Sequence, residues 1–111
     1  MSATHKSQIT LNVGLDENKI PEAITWTAQD GGISNEEAKA FLLSVWDAKS
    51  KESLRIDLWT KDMPVDEMQQ FFHQTLVTMT DTFLKATQDH KMADTMKDFT
   101  DYFAEKLNLK Q

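Results

Sequence analysis

Catalysis or metal binding in this chain would have to come from His5, His73 and His90, from scattered carboxylates, or from serines, because cysteine is absent. No histidine has a second histidine three or four places away, the spacing that would put two metal ligands on one helical face. His73 flanks an apolar stripe and reads as a packed or half-exposed side chain. The acidic pairs Asp16-Glu17, Glu36-Glu37 and Asp66-Glu67 fall in turns or helix starts, where carboxylates serve solvation and the helix dipole. Gly31-Gly32 lacks the spacing and the Lys-Ser/Thr of a phosphate loop, and none of Ser2, Ser7, Ser34, Ser44, Ser50 and Ser53 sits in a nucleophile elbow. The residues therefore argue for no catalytic group, no cofactor and no metal, and against an enzyme.

A different chemistry is offered by Leu42, Trp46, Arg55, Asp57 and Trp59. The segments Lys39–Asp47 and Leu54–Thr60 both alternate, and pairing them puts Trp46, Leu42, Arg55 and Trp59 on the face away from the helices. Tryptophan and arginine are the types enriched at interaction hot spots. Joining Val45 to Ile56 and Leu43 to Leu58 as inward pairs sets Trp46 opposite Arg55, Ser44 opposite Asp57 and Leu42 opposite Trp59, with a loop near Lys49–Glu52. Such a face is a candidate surface for a partner or for self-association. The plainer reading is that the tryptophans staple the hairpin or are covered by the amino-terminal segment.

These residues are positioned by a chain that switches period at its centre. Gln8–Leu15 alternates and reads as a strand; Asp16–Lys19 is a polar turn; Ile20, Ile24 and Trp26 mark a second strand, with Pro21 at its start. Ser34–Asp47 fits two descriptions. Ser34 and Glu37 resemble a capping box, but the direct run into the Leu54 strand favours a strand over Lys39–Asp47, after at most one helical turn at Asn35–Ala38. Pro64 suits a first helical position, followed by Asp66 and Glu67 in the first turn. Met68, Phe72, Leu76, Met79 and Phe83 form the stripe of one helix; Asp89 is the candidate cap of a second, striped by Met92, Met96, Phe99, Phe103 and Leu107. Phe72, Leu76, Phe99 and Phe103 are expected in the core, and the methionines as its filler. The expected fold is α+β: a four-stranded antiparallel sheet with two C-terminal helices packed on one face. The alternative order, β-β-α-β-α-α, only reassigns Ser34–Asp47. Residues 1–7 are expected to be flexible and 8–111 to form a single domain.

The 111 residues carry a net charge of −6, which disfavours nucleic acid and anionic lipid surfaces. No apolar run reaches the roughly 20 residues that span a bilayer, and MSATHKSQ lacks the apolar centre of a secretory signal. The expected location is the cytoplasm, without direct membrane insertion.

The runs LLSVWD (Leu42–Asp47), LRIDLWTKDMPVDEM (Leu54–Met68), FFHQTL (Phe71–Leu76) and DYFAEKL (Asp101–Leu107), with LDENKIPEAITWTAQDGG (Leu15–Gly32), resemble the gliding-motility protein GldC family over nearly the whole chain from Gln8. The resemblance implies a non-enzymatic cytoplasmic accessory protein of the bacterial gliding and type IX secretion machinery, functionally linked to the lipoprotein GldB and without a cofactor. It supplies no binding residues. Two functional classes follow: a module that binds a machinery protein, or a small-molecule or lipid-binding domain using a cavity between sheet and helices lined by Phe and Met.

Overall fold

The computed structural model describes residues 3–109. The chain divides between Met63 and Pro64 into a strand unit and a helix unit. The flexible start expected over residues 1–7 falls in part on residues 1–2, which lie outside the described residues.

The strand unit holds β1 (Ile9–Leu15), β2 (Pro21–Ala28), β3 (Ile33–Ala38), β4 (Ala40–Asp47) and β5 (Glu52–Trp59), with one 3-10 turn at Gln29–Gly31. These form two antiparallel sheets, β1-β2-β3 and β4-β5, in place of the single four-stranded sheet expected. The difference lies in Ile33–Ala38. ISNEEA has no apolar alternation, and its Ser34–Glu37 spacing mimics a helix start, yet it pairs with β2 from Ile24↔Ala38 to Ala28↔Ile33. Asn35 takes a left-handed conformation (φ 53°) at the irregularity, and its N–H donates to the Thr27 hydroxyl at 2.9 Å. Two β3 residues thus stand against one on β2, a bulge that sequence periodicity does not reveal. No helical turn forms at Asn35–Ala38, and the strand reading of Lys39–Asp47 is correct to within a residue at its start.

The β1–β2 hairpin closes through Asp16. Its carboxylate accepts from the N–H groups of Asn18 and Ile20, and Lys19 adopts φ 63°. Val13 pairs with Ile24 and Leu11 with Trp26, so alternate apolar side chains share one face. Ile24, on the central strand, is 0% exposed and is the largest fully buried side chain among the described residues.

The helix unit consists of α1 (Val65–Thr87) and α2 (His90–Lys106). Pro64 stands one residue before α1, in an extended conformation, rather than at its first helical position. Gln88 ends α1 with φ 58°, and Asp89 caps α2 as expected, accepting from the Met92 N–H at 3.0 Å. The core positions are rotated from those expected. His73, Ala93, Thr100 and Ala104 are buried, and half-buried Leu76, Thr80 and Phe83 follow His73 at spacings of three, four and three. Phe72 and Phe99 are 43% and 53% exposed, whereas Leu76 and Phe103 are half-buried. The buried positions of α2 are thus small residues, the rings of His73 and Phe103 stack between the two helices, and Phe72 and Phe99 stay partly in water. The hydroxyls of Thr80 and Thr100 are satisfied within their own helices, by the carbonyls of Leu76 and Met96.

Candidate interaction surface

The β4–β5 hairpin is closed by a four-residue loop, 48–51. The Asp47 carboxylate accepts from the Ser50 N–H at 2.7 Å, and its carbonyl accepts from the Lys51 N–H at 2.9 Å, with Lys51 at φ 57°. This turn fixes an unbroken register in which Ala40 pairs with Trp59, Leu42 with Asp57, Ser44 with Arg55 and Trp46 with Ser53. The register expected from the apolar pairs is therefore displaced by two residues. Phe41 meets Leu58, Leu43 meets Ile56 and Val45 meets Leu54. A displacement of two preserves sidedness, because the side-chain period of a strand is two.

Leu42, Trp46, Arg55, Asp57 and Trp59 accordingly share one face of the hairpin, arranged differently from the expectation. Trp46 lies at the loop end and Trp59 at the open end, 68% and 55% exposed. Counting the six residues from Ser53 to Trp59, the two indoles are about 20 Å apart along the hairpin. Between them lie Leu42, Arg55 and Asp57 and the Ser44–Ser53 hydroxyl pair, 3.0 Å apart. Arg55 Nε is 3.9 Å from Asp57 Oδ1, an exposed contact that adds little stability. Arg55 stands across from Ser44 rather than over the Trp46 ring. The face is a strip with an aromatic group at each end and a polar centre.

His73 ring-stacks on Phe103 at 6.4 Å and is 8% exposed, which is a packing role. Among the described residues no three His, Cys, Asp or Glu are placed to hold a metal ion. A cleft of about 420 Å³ in the strand unit is lined by Glu22, Ile24, Glu37, Lys39, Thr60 and Asp62 among others, and by neither Phe nor Met. It does not have the lining expected of a lipid cavity. Sequence reasoning missed this cluster because its members are far apart in the chain. Thr60, buried, donates its hydroxyl to Asp62 at 2.6 Å, and Lys39 pairs with Asp62 at 3.1 Å. Lys61 reaches Asp16 at 3.2 Å and Glu22 at 3.4 Å. The Thr60 hydroxyl, with help from Lys39, holds the Asp62 carboxyl below its ordinary range, and the Ile20 N–H does the same for Asp16. These contacts tie the end of β5 to the β1–β2 turn and the β3–β4 bend.

A family model described as gliding motility-associated protein GldC-like matches residues 21–109. The chain belongs to the GldC-like family. The match takes in β2 to β5 and both helices, including all five residues of the strip. The resemblance read from Leu42–Asp47 and Leu54–Met68 is thereby shown. The family description associates the chain with gliding motility. No curated protein and no solved structure matches it. No helix among the described residues is long and apolar enough to cross a membrane.

Proposed function

We propose that this GldC-like chain is a non-catalytic accessory subunit of the gliding and type IX secretion machinery, acting in the cytoplasm by binding a protein partner through the Trp46–Trp59 face of β4–β5. The observation that carries the reading is the exposure of Trp46 and Trp59 on one face of a hairpin. Large aromatic side chains left in water at both ends of a strip gain most by being covered, and the Arg55–Asp57 centre supplies polar specificity between them. The membership in a gliding-motility family supports a partner within that machinery, and the lipoprotein GldB is the first to test.

The test is affinity capture from a gliding cell with wild-type, Trp46→Ala, Trp59→Ala and Arg55→Ala chains, alongside the melting temperature of each. The reading requires that a machinery protein be captured by the wild type and lost from the tryptophan variants while melting is nearly unchanged. Equal capture by all four chains places the partner surface elsewhere.

A further inference from the structure

We infer that β4 is a homodimerisation strand, pairing antiparallel with β4 of a second copy about a two-fold axis at Leu43. A two-stranded ribbon is marginal in water, and three or more strands are ordinarily needed for a stable sheet. Among the described residues β4 pairs only with β5, and Leu43 and Val45 of β4 and Leu54 and Ile56 of β5, on the apolar face of the hairpin, are exposed. The Thr60 N–H donates to the Lys39 carbonyl, so the odd-numbered residues of β4 direct their backbone groups at β5. The N–H and C=O groups of Ala40, Leu42, Ser44 and Trp46 therefore point to the opposite edge, where no strand is paired among the described residues.

Proteins ordinarily guard such an edge with charge, proline or a bulge. β5 carries Arg55 and Asp57, but β4 is uncharged from Ala40 to Trp46, has no proline and keeps its register over all eight pairs with β5. A second copy is the occupant that complements it. Backbone groups of even-numbered residues must meet even-numbered residues. Centring the strand on itself satisfies this with Leu42 opposite Ser44 of the partner, Ala40 opposite Trp46, and Phe41 opposite Val45. The same register brings Lys39, which also pairs with Asp62, opposite Asp47 of the partner at both ends, opposite charges in a chain whose net charge of −6 opposes association elsewhere. The result is a closed, isologous sheet of four strands, β5-β4-β4-β5, with no repeating edge to propagate. This assembly does not depend on the partner-binding role of the Trp46–Trp59 face, although it would present two such strips together.

Because the chain has no cysteine, single-cysteine variants of the full chain map the contact directly. Leu43 would face its own copy in a pair with Cα atoms about 4.5 Å apart, within disulfide reach. Ala40 would lie far from its own copy but beside Trp46 of the partner. Sedimentation equilibrium should give the wild type twice the monomer mass. Mild oxidation should cross-link most of Leu43→Cys and little of Ala40→Cys, while co-expressed Ala40→Cys and Trp46→Cys chains should join to each other. A wild type of monomer mass, including one whose edge takes up a strand from another protein, overturns the inference. So does a dimer in which Leu43→Cys fails to cross-link, or in which Leu43→Cys and Ala40→Cys cross-link equally.

Discussion

Trp46 stands directly across the β4–β5 ladder from Ser53, with Arg55 two places further along the partner strand. This pairing is testable by disulfide formation within one chain. Trp46→Cys with Ser53→Cys should oxidise readily, since directly opposed residues of this kind have Cα atoms about 4.5 Å apart. Trp46→Cys with Arg55→Cys should oxidise much more slowly. The comparison is thiol loss against time under one oxidant at high dilution, and a faster 46/55 pair would restore the displaced register.

The burial of Ile24 and the exposure of Phe99, which helical spacing placed in the core, set the order of two truncations. Ile24→Ala removes a fully enclosed side chain from the three-stranded sheet and should cost about 2–5 kcal/mol. Phe99→Ala should cost less than about 2 kcal/mol, because much of the ring is already in water and its ring contacts are with Tyr102 and Phe103. Urea titrations of the two variants decide the order.

Among the described residues Asp89 supplies the one side-chain cap at the start of α1 or α2. Asp89→Ala should lower stability by about 0.5–2 kcal/mol through loss of the bond to the Met92 N–H, and Asp89→Ser should recover most of it. A thermal melt unchanged by Asp89→Ala would mean that water serves the helix start equally well.

Acid should loosen the strand unit in a defined direction. Asp16, Asp47 and Asp62 have carboxyl groups held below the ordinary range, chiefly by the Ile20 N–H, the Ser50 N–H and the Thr60 hydroxyl respectively. A depressed folded-state pKa contributes stability that is present above the unfolded value, near 4, and is lost as pH falls through the lower folded value. Stability should therefore decline below about pH 4, and Asp16→Asn should flatten part of that decline. Denaturant midpoints measured from neutral pH into acid provide the check; a wild-type midpoint that rises on acidification would contradict the sign.

The alternation of Ile9, Leu11 and Val13, the even spacing of Ile20, Ile24 and Trp26, the alternating runs Lys39–Asp47 and Leu54–Thr60, and the helical spacing after Pro64 were sufficient for four strands and two C-terminal helices. Sidedness was legible for the same reason: a strand has two faces, so Leu42, Trp46, Arg55, Asp57 and Trp59 stay together under any even displacement. Motifs from Leu15 to Leu107 were also enough to suggest the family, which the match over residues 21–109 shows. Which residues meet was a different matter. Ile33–Ala38 became a strand through pairing with β2 despite a sequence that lacks alternation, and the Asp47–Lys51 turn, rather than apolar matching, set the β4–β5 register. In the helices, periodicity supplied an apolar stripe, but packing buried Ala93, Thr100 and Ala104 and left Phe72 and Phe99 partly exposed. Local pattern determines element type and face, because it depends on a residue and its near neighbours in the chain. Register, rotation and the ion pairs of Lys39 and Lys61 depend on residues brought together by folding, and only the tertiary structure decided them.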